Sequence, residues 1–201
     1  MSLQLKEQEL KFLKLQIHPH FLFNALNTIY GYALKKADEA PEMILKLSNL
    51  LDYILYQVDK PMVALQDELH HIKEYISLEK MRFHDTLDIV FIDETHNSSL
   101  QIAPMLFIPF VENSFKHGRI IDGTMQITIR VSFKDTYLIL YVKNSARNNH
   151  TNTPGIGLEN IKKRLAMVYP NGYDLLINAQ PDSFAITLSI NTTLLNPLTY
   201  D

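Results

Sequence analysis

The chain has 201 residues, of which 46% are apolar and 20% charged, the usage of an ordinary globular protein. This composition excludes a disordered tail, a collagen-like repeat and a pure coiled coil, and the length fits one large domain or two small ones. Nineteen basic residues against 22 acidic ones give a net charge of -3 without a basic run, so nucleic acid is not expected as a direct partner. The absence of cysteine excludes disulfides, thiolate metal sites and thiol catalysis.

The start of the chain already follows a helical pattern. Apolar positions near Met1 are interleaved with lysine and glutamate, unlike those of a signal peptide. No stretch reaches the roughly 20 continuous apolar residues of a membrane helix. The abrupt start predicts a fragment whose upstream sensory or membrane part is absent.

Two amphipathic helices are predicted next. Apolar residues recur every three or four positions up to about Lys36, and a second stripe covers residues 43–58 after a turn at 38–41. Two helices cannot cover both stripes within one molecule, so the pattern predicts a homodimer with a four-helix bundle. We expect a dimerisation hairpin over 1–60 and a second domain over 61–201.

The second domain mixes helical and strand periods. The predicted helices cover residues 65–83, 104–117 and 157–169, and the predicted strands cover 87–92, 125–133, 137–142 and 184–190. Strands with helices on one face predict a two-layer α/β sandwich, so the fold class is α+β.

The first motif whose residues are suited to a chemical reaction lies in the first helix. Pro19 removes a backbone hydrogen bond and is expected to kink the helix beside His20. Asn24 lies one turn further on the same face, where its amide can hold one ring nitrogen while the other acts as a nucleophile. The alternative is a surface histidine beside a tolerated proline. A metal site formed by His18 and His20 is disfavoured, because residues two apart point to different sides of a helix.

The second motif lies at the end of the helix predicted over 104–117. Asn113, Lys116 and His117 share one edge of it. Such an edge suits a polyphosphate with magnesium: Asn113 offers a neutral oxygen to the metal, and the other two offer charge or donors to phosphate. The alternative is a solvated helix end whose basic residues interact favourably with the negative end of the helix dipole.

The third motif is a glycine pair, Gly155 and Gly157, directly before a predicted helix. Backbone amides at a glycine-rich helix start form an anion site. The motif is not a dinucleotide fingerprint, because Asn160 replaces the third glycine, and the sequence has no P-loop. The alternative is an ordinary junction between a loop and a helix that binds no ligand.

In this order, the three motifs resemble those of the sensor histidine kinases of the LytS/YehU type. The phosphoacceptor box reads QIHPHFLFN over 16–24, the asparagine box PFVENSFKHG over 109–118, and the glycine box GIGLENIKKRL over 155–165. The segment 65–83 is similar to the family's connector, with Glu68, Tyr75 and Arg82 in familiar places. The resemblance covers roughly residues 10–190.

The resemblance implies a sandwich of the histidine-kinase ATPase type that binds ATP and Mg²⁺, with the metal on Asn113. The γ-phosphoryl would pass to His20 and then to an aspartate of a response regulator receiver domain, with Glu112 as a candidate base. It also implies a kinase core on the cytoplasmic side of the bacterial inner membrane. The implied nucleotide-binding residues are Asn113, Lys116, His117, Asn144, Gly155, Gly157 and Leu158.

The adenine-binding segment departs from the family pattern. The wider ATPase superfamily usually carries Asp-x-Gly-x-Gly after the central strand, whereas residues 142–147 read VKNSAR. Asn144 can accept one hydrogen bond but lacks the charge, and both glycines are absent. The alternative function is therefore a pseudokinase or dimeric signalling scaffold that binds nucleotide weakly or not at all. A serine kinase or plain ATPase is disfavoured because neither needs the His20 box.

Overall fold

The computed structural model describes four stretches of the chain, residues 19–57, 59–96, 98–147 and 156–194. The phosphoacceptor box is described from Pro19 onward, with the backbone alone at His20. In the glycine box, Gly155 lies outside the described residues, and Gly157 is described as backbone alone. The predicted kink at Pro19 depends on residues outside these stretches and stays a prediction. The same holds for the expectation that His18 and His20 do not form a metal site.

Two helices open the described structure, α1 (Pro19–Leu34) and α2 (Glu39–Gln57). α2 carries acidic residues in its first turn, where the helix dipole favours them. Its buried face repeats every three or four residues, as predicted, and consists of Ala40, Met43, Leu47, Leu50 and Ile54. α2 packs against α1 and against a third helix, α3 (Leu65–Phe83), whose bounds match the prediction.

α3 lies between the hairpin and the rest of the chain, because it contacts α1, α2 and a fourth helix, α4 (Ile108–His117). Its buried side chains join those of the hairpin and the sheet in one continuous apolar cluster. The division into domains 1–60 and 61–201 stays a prediction. None of the helices in the described stretches is long and apolar enough to cross a bilayer.

A five-stranded sheet forms the other layer. Its strands are β2 (Leu87–Glu94), β4 (Met125–Lys134), β5 (Tyr137–Ser145), β6 (Tyr173–Ala179) and β7 (Ser183–Asn191). They lie in the order β2-β4-β5-β7-β6, in which β2 and β4 run parallel and the other neighbours antiparallel. Two short strands, β1 (Val63–Ala64) and β3 (Gln101–Ile102), pair separately. α4 packs on β4 and β5, and α5 (Ile156–Val168) contacts α4. The predicted α+β class and two-layer sandwich are confirmed.

Several elements differ from the prediction. The short strands β1 and β3 were not predicted. β6 was not predicted, because it is an edge strand in which apolar and polar residues do not alternate: Leu176 is apolar although it is 60% exposed. The helix predicted over 104–117 begins only at Ile108. The backbone before it is held by side chains instead: the N–H groups of Met105 and Phe107 donate to the carboxylate of Glu68.

The interface between α2 and α3 contains a buried histidine whose charge state should govern stability in acid. His71 stacks on Tyr53 with ring centroids 4.3 Å apart. Burial, with a smaller effect of His70, lowers the pKa of His71 from 6.5 to about 4. The folded chain therefore binds the proton of His71 less readily than the unfolded chain does. The contribution of neutral His71 to the free energy of unfolding is fully present above pH 6.5 and is lost as the pH falls towards 4.

We therefore expect His71→Phe, which keeps a stacking ring, to gain stability relative to the parent on acidification. Between about pH 7.5 and about pH 5 the gain should be about 2 kcal/mol in the free energy of unfolding, measured by urea denaturation. His70→Gln is the matched control, because His70 is exposed, and it should show little change. Equal pH dependence of His71→Phe and the parent would contradict the prediction.

Candidate functional site

The asparagine-box helix α4 ends against β4. It buries Ile108, Phe110, Val111, Ser114 and Phe115. Gly118 ends the helix with its N–H donating to the carbonyl of Ser114 at 2.9 Å. A Cβ on Gly118 would lie 2.6 Å from that carbonyl oxygen and 2.5 Å from the sulfur of Met125 on β4. Glycine is therefore required for the helix end to approach the strand this closely.

The predicted edge of α4 faces outward at this helix end. Asn113 is half-buried, and Lys116 and His117 are exposed. Burial, followed by the positive charges of Lys116 and Arg119, lowers the pKa of His117. Three basic groups thus lie within electrostatic reach of one another, and a bound anion would relieve their repulsion.

Asn144 lies at the end of the neighbouring strand β5, where it is 2% exposed. Its Nδ2 donates to the carbonyl of Ser145 at 3.0 Å. Ser145 also ties the loop after α4 to this strand end: its Oγ donates to the carbonyl of Arg119 at 2.6 Å, and its carbonyl accepts the N–H of Arg119 at 2.8 Å. The fold therefore brings the asparagine-box edge and Asn144 to the same end of the sheet.

The glycine-box helix α5 lies beside α4. Leu158 is half-buried and packs against the apolar cluster. The predicted contribution of the amides of Gly155, Gly157 and Leu158 to an anion site stays a prediction, because the start of this motif lies outside the described residues.

Glu112, the candidate base, is half-buried on α4 beside a buried carboxyl of α3. The pKa of Glu79 is raised to about 7, chiefly by burial. The charge of Arg82 lowers this pKa, since its Nη2 lies 2.7 Å from Oε2 of Glu79. The negative charge of Glu112 raises it. The two carboxyl groups are therefore close enough to interact through their charges.

The helix that carries His20 contacts the same region of α3. Next to His20 in the chain, Phe21 packs on Tyr75 with ring centroids 4.5 Å apart. Tyr75 in turn meets Phe115 of α4 edge-on at 5.6 Å. One buried tyrosine therefore links the turn of α1 after His20 to the helix that carries Glu112.

The motif-based prediction gave no role to Arg164, and it placed Glu68 only by resemblance. Both side chains are buried and hydrogen-bonded to the segment before α4. A signal was present: Glu68 lies three residues after Leu65 and Arg164 three residues after Ile161, so each charge interrupts an apolar stripe. A charge in such a position points to a buried polar contact.

Comparisons with known proteins identify similar sequences. The family model described as histidine kinase matches residues 8–87. The sensor histidine kinase BtsS of Escherichia coli K12 is 31% identical over 191 residues, covering 92% of this chain and 34% of the relative. The sensor protein LytS of Enterococcus faecalis is 28% identical over 202 residues, with the same shares of each chain covered. The chain spans about a third of the length of these curated relatives.

A solved structure has the same fold. The histidine kinase domain of the blue-light activated histidine kinase from Erythrobacter litoralis EL346 is 13% identical and superposes with a TM-score of 0.52. The match covers 96% of this chain and 100% of that domain. This similarity supports the helical hairpin and sandwich architecture.

Proposed function

Because the chain belongs to the histidine kinase family that includes the LytS sensor proteins, we propose that it is the kinase core of a two-component sensor on the cytoplasmic side of the bacterial inner membrane. It binds ATP with Mg²⁺ and transfers the γ-phosphoryl to a ring nitrogen of His20. An aspartate of a response regulator receiver domain then accepts the group. The observation that carries this proposal is the placement of the Asn113, Lys116 and His117 edge beside Asn144 at one end of the sheet.

The residues at this edge fit a nucleotide with its metal. The side-chain oxygen of Asn113 is a ligand type that Mg²⁺ accepts, and Lys116 and His117 supply donors to phosphate. Within the described stretches no group of three or more acidic or histidine side chains could hold a metal. Mg²⁺ would arrive with the phosphates of the nucleotide and neutralise their charge. Asn144 would accept a hydrogen bond from the adenine amino group.

The transfer to His20 forms a nitrogen–phosphorus bond and breaks the bond between the γ-phosphorus and the oxygen of ADP, which leaves with the electron pair. Glu112 is the proposed base that accepts a proton from the histidine. The packing of Phe21 on Tyr75, and of Tyr75 on Phe115, supports an approach of α1 to α4. Positioning and charge neutralisation would supply most of the catalysis.

The test is incubation of the purified chain with Mg²⁺ and γ-labelled ATP, followed by mapping of acid-labile phosphate. We expect a labelled histidine when Mg²⁺ is present and none when it is chelated. The asparagine at position 144 favours one alternative, a pseudokinase or dimeric signalling scaffold with weak or no ATP binding. Failure of the folded chain to bind ATP at millimolar concentration would establish that alternative and remove the kinase proposal.

We propose a homodimer because the hairpin exposes apolar side chains along both helices. On α1 they fall on one stripe at spacings of three and four. The exposed residues are Phe23, Leu26, Tyr30 and Leu34 on α1 and Ile44, Leu45, Leu55 and Tyr56 on α2. An apolar surface of this length suits burial against a second copy.

Light scattering should therefore give twice the chain mass of 23.3 kDa. Tyr30→Lys combined with Leu34→Lys should shift the mass towards the monomer, because two charges would enter the bundle interface. Leu176→Lys is the matched control, since Leu176 is 60% exposed, similar to Leu34 at 66%, and lies on the sheet-edge strand β6 and not on the hairpin. A monomer mass for the parent at tens of micromolar would contradict the dimer.

A further inference from the structure

A buried carboxylate joins three parts of the chain. Glu68 on α3 has no exposed surface. Its Oε1 accepts the N–H of Phe107 and its Oε2 the N–H of Met105, both at 2.9 Å. Oε2 also accepts the hydroxyl of Tyr53 on α2 at 2.7 Å. Burial raises the pKa of Glu68, whereas these three hydrogen bonds and the charge of Arg164 lower it.

A buried guanidinium holds the same segment from the other side. Arg164 on α5 is 5% exposed and donates to the carbonyls of Pro104 and Met105. The peptide group between Pro104 and Met105 thus has its carbonyl oxygen on Arg164 and its N–H on Glu68. The positive and negative charges thus face opposite ends of one peptide dipole, which stabilises both charges without direct contact between them.

The clamped segment leads directly into α4. Met105 has a φ of 56°, the left-handed region that a non-glycine residue adopts only when its surroundings impose it. The N–H of Ala103 also donates to the hydroxyl of Tyr169, the residue directly after α5, at 2.8 Å. The position of α4, and with it that of Asn113, therefore depends on contacts from α3 and α5.

Tyr53 brings the hairpin into this arrangement. Its ring is fixed by stacking on His71, so its hydroxyl can reach Glu68 only while α2 keeps its present position on α3. A shift of α2 would remove one of the hydrogen bonds that orient the carboxylate. The N–H groups of Met105 and Phe107 would then be held less firmly.

We propose that Glu68 and Arg164 are positioning residues that clamp the Pro104–Met105 peptide, and that Tyr53 couples this clamp to the hairpin. Nucleotide affinity at the α4 edge then depends on the position of α2, and bound nucleotide in turn strengthens the contact of Tyr53 with Glu68. The nucleotide part of this proposal rests on the proposed function; the clamp itself does not.

Amide hydrogen exchange on the nucleotide-free protein tests the clamp. Tyr53→Phe removes the hydroxyl and keeps the ring on His71. We expect the amides of Met105 and Phe107 to exchange about threefold to tenfold faster, the effect of one ordinary hydrogen bond. Tyr137→Phe, the same change at a position of β5 that is 41% exposed and lies outside the hairpin, is the matched control. Unchanged exchange at both amides in Tyr53→Phe, or equal acceleration in Tyr137→Phe, would overturn the proposal.

Calorimetry with Mg²⁺ and a non-hydrolysable ATP analogue tests the coupling. Tyr53→Phe should weaken binding of the analogue about threefold to tenfold, whereas Tyr137→Phe should bind it as tightly as the parent does. Arg164→Lys should weaken binding of the analogue further, because an ammonium group lacks the planar pair of N–H donors that reaches both carbonyls. If the analogue binds Tyr53→Phe as it binds the parent, the coupling is wrong. Absence of binding to the parent would contradict the proposed function, and the exchange result would still decide the clamp.

Discussion

Replacing His20 by glutamine should abolish the acid-labile label from γ-labelled ATP and leave nucleotide binding intact. Glutamine has a similar length and supports a helix, but it has no ring nitrogen to attack phosphorus. The apolar contact of the neighbouring Phe21 with Tyr75 is retained in the variant, so α1 should keep its place on α3. Label is measured by phosphate mapping, and binding by calorimetry with Mg²⁺ and the ATP analogue.

The control is the neighbouring histidine of the same box. His18→Gln makes the same chemical change two positions earlier in the chain, and it should retain label. Label that persists in His20→Gln, or that disappears only in His18→Gln, would contradict the assignment of His20 as phosphoacceptor.

Asn113→Ala should eliminate Mg²⁺-dependent binding of the ATP analogue, because the metal loses its proposed protein ligand and the phosphates lose the ion that neutralises them. The cost in stability should be small, within about 0.5 kcal/mol, because Asn113 is half-buried at a helix edge and the core face of α4 lies elsewhere. Calorimetry measures the affinity, and thermal unfolding without ligand measures the stability.

Asn178→Ala is the matched control for this variant, since it removes an exposed asparagine from the edge strand β6. Its affinity for the analogue should equal that of the parent. Unchanged affinity in Asn113→Ala would remove the proposed site, whereas equal loss in both variants would point to a general effect on the sandwich.

Local patterns predicted most of the architecture. The helix over residues 65–83 and the alternating strands β4 and β7 follow from apolar spacings of three and four residues or of two. The outward edge formed by Asn113, Lys116 and His117 follows from the same spacing on α4. These features are local, because a helix or strand places residues a few positions apart on one face whatever surrounds it.

The sequence by itself determined the stripes, four of the five strands of the large sheet and the polar edge of α4, because each depends on neighbours within a few residues. Only the tertiary structure decided that 103–107 is a loop and that Glu68 holds it. The carboxylate and its partner Met105 lie 37 positions apart, and Arg164 lies 59 positions beyond Met105. Since no local pattern states which backbone groups will satisfy a buried charge, the folded packing of α3, α4 and α5 makes that choice.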